Sequence, residues 1–191
     1  MTSTLRSFVC GSFVDGDAAT TDLLNPATEE VVAQFRSGGF DTAKAYAYAR
    51  EVGGAKLRAM GFRERAAMLK KLADLCYAKR DELIELGMLN AGNTRGDAKF
   101  DVDGAASVLA TYAELGATLP EKGNVIHDGE AISLGTSSRL LGQHVRIPIE
   151  GVALLINAYN FPAWNFIEKA AASWLSGVPV EIGRASCRER V

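Results

Sequence analysis

Asn160-Phe161-Pro162 closes the run Gly151-Val152-Ala153-Leu154-Leu155-Ile156-Asn157-Ala158-Tyr159, the one stretch of this chain where residue types and spacing point to chemistry. A short run of branched residues opened by glycine reads as a parallel strand buried on both faces. Pro162 suits a first helical turn, and Phe166, Ile167, Ala170, Ala171, Trp174 and Leu175 recur at helical spacing up to Gly177. Asn160 then stands at the carboxyl end of a strand, where open α/β sheets gather their ligands and where a fixed amide dipole can act on one. The same position equally suits a plain helix cap.

Other reactive side chains are sparse. Cys10, Cys76 and Cys187 are scattered and odd in number, which fits a reducing compartment without a disulfide framework, and none has a histidine near it to mark a metal site. Cys76 reads as helix core and Cys10 as a hairpin residue. His127 and His144 fall in a polar connector and an edge strand, where surface histidines are expected. Lys169, nine residues past Asn160, reads as an ordinary solvated helix lysine. No Gly-x-Gly-x-x-Gly follows Ile156, so the usual dinucleotide fingerprint is absent.

The elements that would position this turn can be read along the chain. Phe8 to Gly16 forms two short apolar runs around a Gly-Ser break, a hairpin. Leu23 to Ala33 forms a second, with Pro26 setting the turn and Asn25 supplying a side-chain acceptor. Asp41 caps a helix with Ala43, Ala47 and Val52 near one face. A long helical pattern from Arg63 to Leu89 bends near Lys79 to Asp81, and another helix covers Phe100 to Leu119. Periodicity fades over Glu121 to Gly135. Ser138 to Ile149 alternates weakly, as an edge strand or short hairpin.

At 191 residues, 48% hydrophobic and 23% charged, the composition is that of a folded globular chain. A net charge of -2 with signs interspersed offers no basic stripe for nucleic acid and no polybasic membrane patch. No apolar run approaches the roughly 20 residues of a bilayer span, and no signal core follows Met1, so the expected compartment is the cytoplasm. Residues 181–191 break the pattern with three arginines and no periodicity, and read as a non-native tail, the translation of a sequencing adapter.

With the tail set aside, the chain resembles the aldehyde dehydrogenase superfamily from the Phe8 hairpin to Val180. The residues that carry this are Asn25-Pro26-Ala27-Thr28-Glu29, Phe62 to Lys70, Thr94-Arg95-Gly96-Asp97 with Asp101-Val102-Asp103-Gly104, and Ile156 to Pro162 with Trp164 and Glu168-Lys169. The middle two favour the PaaZ-like branch, the dehydrogenase domains of phenylacetic acid degradation. Ala158 and Tyr159 replace the commoner Pro-Trp pair, a change this branch tolerates.

The resemblance implies an α/β fold, here the N-terminal portion over residues 1–180: an incomplete Rossmann-like cofactor domain plus oligomerisation-arm strands at 138–149. It implies an enzyme that oxidises an aldehyde, most specifically a CoA-linked semialdehyde, with NAD or NADP, and works as a homo-oligomer. Asn160 would hold the oxyanion formed when a cysteine attacks the aldehyde. Ile156, Asn157, Ala158 and Tyr159 would run beside the cofactor. The family's nucleophilic cysteine, glutamate and cofactor loop would lie past Val180, so the chain as written is expected neither to oxidise aldehydes nor to bind NAD(P). The runner-up is a related semialdehyde dehydrogenase of benzoate breakdown. A non-catalytic binding module and a structural oligomerisation piece are the readings from other classes.

Overall fold

The computed structural model describes residues 3–136 and 139–184. Its N-terminal strands are short and local. β1 (Thr4–Leu5) pairs in parallel with β5 (Val31–Phe35), which is antiparallel to β4 (Thr21–Leu24). β2 (Ser7–Val9) and β3 (Ser12–Val14) form the first hairpin, turned by Cys10 and Gly11 with φ of 50° and 80°. Two successive left-handed residues match the twist of the flanking strands. In the β4–β5 turn, buried Asn25 accepts the Ala27 N–H through Oδ1 at 2.9 Å, the local bond expected of an asparagine there.

Asp41 caps α1 (Thr42–Tyr48) by accepting the Lys44 N–H at 3.2 Å. The helix runs through a π turn (Ala49–Gly53) into α2 (Gly54–Ala59). Its buried stripe is Ala45 and Ala49, while Ala43 is exposed. An alanine-rich helix offers apolar positions on several faces, and packing selects one.

Three helices build the core. α3 (Phe62–Ala78) ends at Lys79, the expected bend, and α4 (Arg80–Ala91) ends at left-handed Gly92. α5 (Arg95–Thr118) starts five residues before the Phe100 that periodicity suggested. Its start is local chemistry: Thr94 Oγ1 accepts the Asp97 N–H at 3.2 Å. Leu69 and Ala73 of α3, Leu109 and Ala113 of α5, and Ile167 and Ala171 of α6 (Pro162–Leu175) share one buried cluster. Leu86 and Leu115, apolar residues within the two helical stretches read from the sequence, are exposed.

A forked ion pair joins α4 to α5. Arg80 donates from Nε to Asp103 Oδ1 at 2.5 Å and from Nη2 to Oδ2 at 2.8 Å. The Arg80 hydrogen bonds hold the Asp103 carboxyl below its ordinary value of 3.8. A carboxyl depressed in the folded state stabilises above its unfolded pKa, and that contribution is lost as pH falls through the folded value. Asp103→Asn should therefore flatten the loss of stability on acidification below about pH 4, while leaving near-neutral melts close to the parent in slope. Urea midpoints measured from pH 6 to pH 2 check this, and identical acid limbs would refute it.

β6 (Ile126–Ser133) and β7 (Leu141–Arg146) pair antiparallel in a third, longer hairpin. β7 lies in the expected edge region. Its partner lies in the stretch where periodicity seemed to fade, because nearly every β6 residue is exposed and neither face needs an apolar row. Ser138, the first residue assigned to the oligomerisation arm, lies outside the described residues.

β8 (Ala153–Asn157) leads through α6 to β9 (Val180–Arg184), and the two strands pair in parallel from Ala153↔Val180 to Asn157↔Arg184. The expected burial on both faces is not found. Leu155 faces α6 and is 6% exposed, whereas Leu154 and Ile156 on the other face are 50% and 58% exposed, since no described element packs there. The first residues of the tail, Glu181 to Arg184, extend β9 along β8. A parallel ladder is made of backbone bonds, so this pairing is indifferent to the tail's side chains. Residues 185–191, with Cys187, lie outside the described residues. Among the described residues no helix is long and apolar enough to cross a membrane.

Candidate active site

The turn between β8 and α6 is pinned from three sides. Asn160 is exposed at the carboxyl end of β8, and its backbone carbonyl accepts from Asn93 Nδ2 at 2.9 Å. Its carboxamide makes no hydrogen bond among the described residues. The helix cap is Phe161, which gives no side-chain bond to α6, so Asn160 does not serve as that cap. An amide donor is thus held at the strand end and left free to act on a ligand.

The capping is done by another helix. Asp101, 2% exposed on α5, accepts the Ala163 N–H through Oδ2 at 3.0 Å and the Trp164 N–H through Oδ1 at 2.7 Å. Phe100 lies 5.0 Å from Trp164 and 6.3 Å from Phe161, ring centre to ring centre. Gly104 lies under the Trp164 indole, where any Cβ would overlap the ring. Sequence reading placed no role on Asn93, Asp101 or Gly104. One signal was present for Asp101: it falls on the buried stripe of Ala98, Val102 and Ala105, where a carboxyl group needs a partner.

Lys169 is not the solvated lysine expected. It is half-buried and folds back toward the turn, with Nζ donating to Asn165 O at 2.6 Å, Glu168 Oε1 at 3.1 Å and Asn157 Oδ1 at 3.4 Å. Of the residues expected beside a cofactor, Ile156 and Ala158 are exposed and Asn157 and Tyr159 half-buried. Leu154 and Ile156 share the exposed face of β8, which ends three residues before Asn160. A cavity of about 250 Å³ lies beside the turn, lined by Phe100, Phe161, Trp164, Asn165 and Glu168.

The other reactive groups are elsewhere. Cys76 packs against the helical core, and burial pushes its thiol up from the ordinary value. Cys10 turns the first hairpin, its Sγ directed at Lys44 O, 4.0 Å away. The raised Cys76 thiol is not an activated nucleophile, which would need a depressed pKa in an electropositive setting. His127 bonds Gln143 at 2.9 Å on the β6–β7 hairpin, and His144 is exposed there. Among the described residues no group of three or more His, Cys, Asp or Glu could hold a metal ion.

Known proteins agree with this architecture. The chain is 42% identical over 176 residues to a 3,4-dehydroadipyl-CoA semialdehyde dehydrogenase of Aromatoleum evansii, covering 92% of this chain and 34% of that protein. It is 28% identical to a non-phosphorylating aspartate-semialdehyde dehydrogenase of Halomonas elongata, again over 34% of that protein. The chain therefore spans about a third of the length of the curated relatives it matches. Among solved structures, 3,6-anhydro-L-galactose dehydrogenase in complex with NAP superposes with a TM-score of 0.81 at 20% identity, covering 96% of this chain and 37% of that one. An NAD-dependent benzaldehyde dehydrogenase from Corynebacterium glutamicum gives 0.77 at 21%, covering 94% and 37%. These two likenesses speak for the fold. Residues 13–180 match the aldehyde dehydrogenase family, and with the strand–turn–helix that carries Asn160 inside that span, the chain belongs to it.

Proposed function

We propose that residues 1–180 are the N-terminal portion of an NAD(P)-dependent aldehyde dehydrogenase that oxidises a CoA-linked semialdehyde to its acid. The observation that carries this is Asn160, a carboxamide without a hydrogen-bond partner among the described residues and held by its backbone at the carboxyl end of β8. Such a neutral donor needs no protonation change to stabilise the oxyanion that forms when a thiolate attacks an aldehyde. Ile156, Asn157, Ala158 and Tyr159 fit the cofactor's flank because they present exposed or half-buried strand edge next to that donor. When bound, NAD or NADP accepts the hydride lost by the aldehyde carbon. Cys10 turns a hairpin and Cys76 packs in the core, and the resemblance would place the nucleophile past Val180. Residues 138–149 would serve the homo-oligomer, and the compartment would be the cytoplasm.

The CoA-linked class is supported by the relative at 42% identity. Within it, the Thr94 to Gly104 segment favours a substrate from phenylacetate breakdown. The alternative is a related semialdehyde dehydrogenase of benzoate breakdown, and the relative's name, a 3,4-dehydroadipyl-CoA semialdehyde dehydrogenase, supports the CoA-linked class common to both. The test is a full-length enzyme carrying residues 1–180, assayed for NAD(P)H absorbance with both CoA semialdehydes and with free benzaldehyde. Turnover of a CoA semialdehyde at a kcat/KM well above that of the free aldehyde is expected. Equal or greater preference for the free aldehyde would reject the class. The 191-residue chain itself should give no absorbance increase with any of them.

A further inference from the structure

The first turn of α6 has its backbone donors accounted for in an unusual way. A helix leaves its leading N–H groups without partners inside the helix. Here Pro162 has none to offer, the Asn165 N–H reaches Phe161 O at 3.1 Å, and the two between, of Ala163 and Trp164, both go to Asp101. The acceptor is not the helix's own cap residue but a buried side chain 62 and 63 residues before the two donors, on the longest helix of the core. One oxygen takes each N–H, so the carboxylate defines a line across the turn. It fixes the rotation of α6 about its axis as well as its position. Phe100 and Gly104, one position before and three after Asp101 on α5, hold the Trp164 ring from the same helix. On the other side of the turn, Asn93 holds the Asn160 carbonyl.

A donor aimed at a developing oxyanion is useful only when its direction is set beforehand, because the gain comes from avoided reorganisation. Asn160 lies two residues before Pro162, whose ring fixes its own φ. Any rotation of the α6 start is thus transmitted to the Asn160 carboxamide through one short segment. We propose that Asp101 is a positioning residue for Asn160: the cross-helix cap orients the turn so that the carboxamide points where the oxyanion forms. This rests on the reading of Asn160 as the oxyanion donor. A merely structural cap would cost stability and would act the same whether or not Asn160 were present.

A double-mutant cycle in the full-length enzyme separates these roles. Asp101→Asn keeps the shape and one acceptor but turns an NH2 group toward the other N–H. It should lower kcat about tenfold, the scale of one well-made hydrogen bond, with the aldehyde KM changed less than about twofold. Asn160→Ala should lower kcat by about 10²–10³. Adding Asp101→Asn to Asn160→Ala should then lower kcat by less than about twofold more, since the group it orients is gone. The same kcat loss from Asp101→Asn in both backgrounds, or none in the parent, would overturn the positioning role. An Asn160→Ala enzyme with unchanged kcat would overturn the oxyanion reading and the positioning role with it. If Asp101→Asn does not fold, Asp101→Ser, which keeps one shorter acceptor, runs the same cycle with the same criteria.

Discussion

Alanine in place of Asn160 is expected to lower kcat of a full-length enzyme carrying this segment by about 10²–10³, the usual effect of removing one oxyanion donor. KM for the aldehyde should change far less, because the donor meets full negative charge only in the transition state. The expectation follows from geometry. The Asn160 carboxamide has no described partner to lose, and its backbone is held through a bond from Asn93 to its carbonyl that the substitution leaves in place. The helix start is capped by Asp101 and would not unravel when Asn160 changes. The loss should therefore fall on the chemical step. Asn160→Asp should do at least as badly despite its near-identical shape, since a carboxylate beside a developing oxyanion repels it. Steady-state kinetics decide the matter. A rise in KM at unchanged kcat would mean that Asn160 binds substrate uniformly and does not act on the transition state.

The second large effect concerns folding. Arg65 is fully buried on α3 with no carboxylate bonded to its guanidinium among the described residues. Instead it donates from Nε to Leu175 O at 2.9 Å, and from Nη1 to Leu57 O at 2.9 Å, Met60 O at 2.6 Å and Asn124 Oδ1 at 2.6 Å. Leu57 lies in α2 and Leu175 ends α6, so the cation sits at the negative ends of two helices; the Leu57 carbonyl, which also accepts the Met60 N–H at 3.2 Å, takes the guanidinium as a second donor. Its charge lies 4.8 Å from the Phe62 ring centre. Burial lowers the guanidinium pKa and nearby Glu64 raises it, and one nitrogen, Nη2, has no protein acceptor among the described residues. These costs are outweighed by what the side chain satisfies. Arg65→Ala would strand several acceptors in a cavity, each worth about 1–3 kcal/mol, for a loss of about 3–5 kcal/mol in all. Against a typical total of 5–15 kcal/mol this leaves the chain barely folded. Arg65→Lys should recover little, as one ammonium cannot fork to helix ends on opposite sides. Urea unfolding of both variants measures this, and an Arg65→Ala midpoint within error of the parent would discard the account.

Much of the fold was legible because its signals are local. Asp41 before an apolar period, Asn25-Pro26 between two apolar runs, and Pro162 after a branched strand each act on their own few residues, and each element formed where those signals lie. The bend near Lys79 was legible for the same reason. β6 was not, because periodicity marks a strand only when one face is buried, and this one has nearly all its residues exposed. The start of α5 was read late because its first turn, Arg95 to Lys99, is mostly polar. At the site, Asn160 stood out through its place after an apolar strand. Its supports did not, since Asp101 reaches Ala163 and Trp164 across 62 and 63 residues of sequence and Asn93 reaches Asn160 across 67, and no local pattern encodes such contacts.

The amino-acid sequence alone determined that this chain makes an α/β fold with an asparagine at the end of a strand, and the residues shared with aldehyde dehydrogenases marked that asparagine for chemistry. It left open whether Asn160 caps the following helix or faces a ligand, since both uses ask for the same residue at the same place. Only the tertiary structure decided against the cap. The first-turn donors of α6 can be satisfied once, and because α5 packs so that Asp101 takes both, the Asn160 carboxamide is left free.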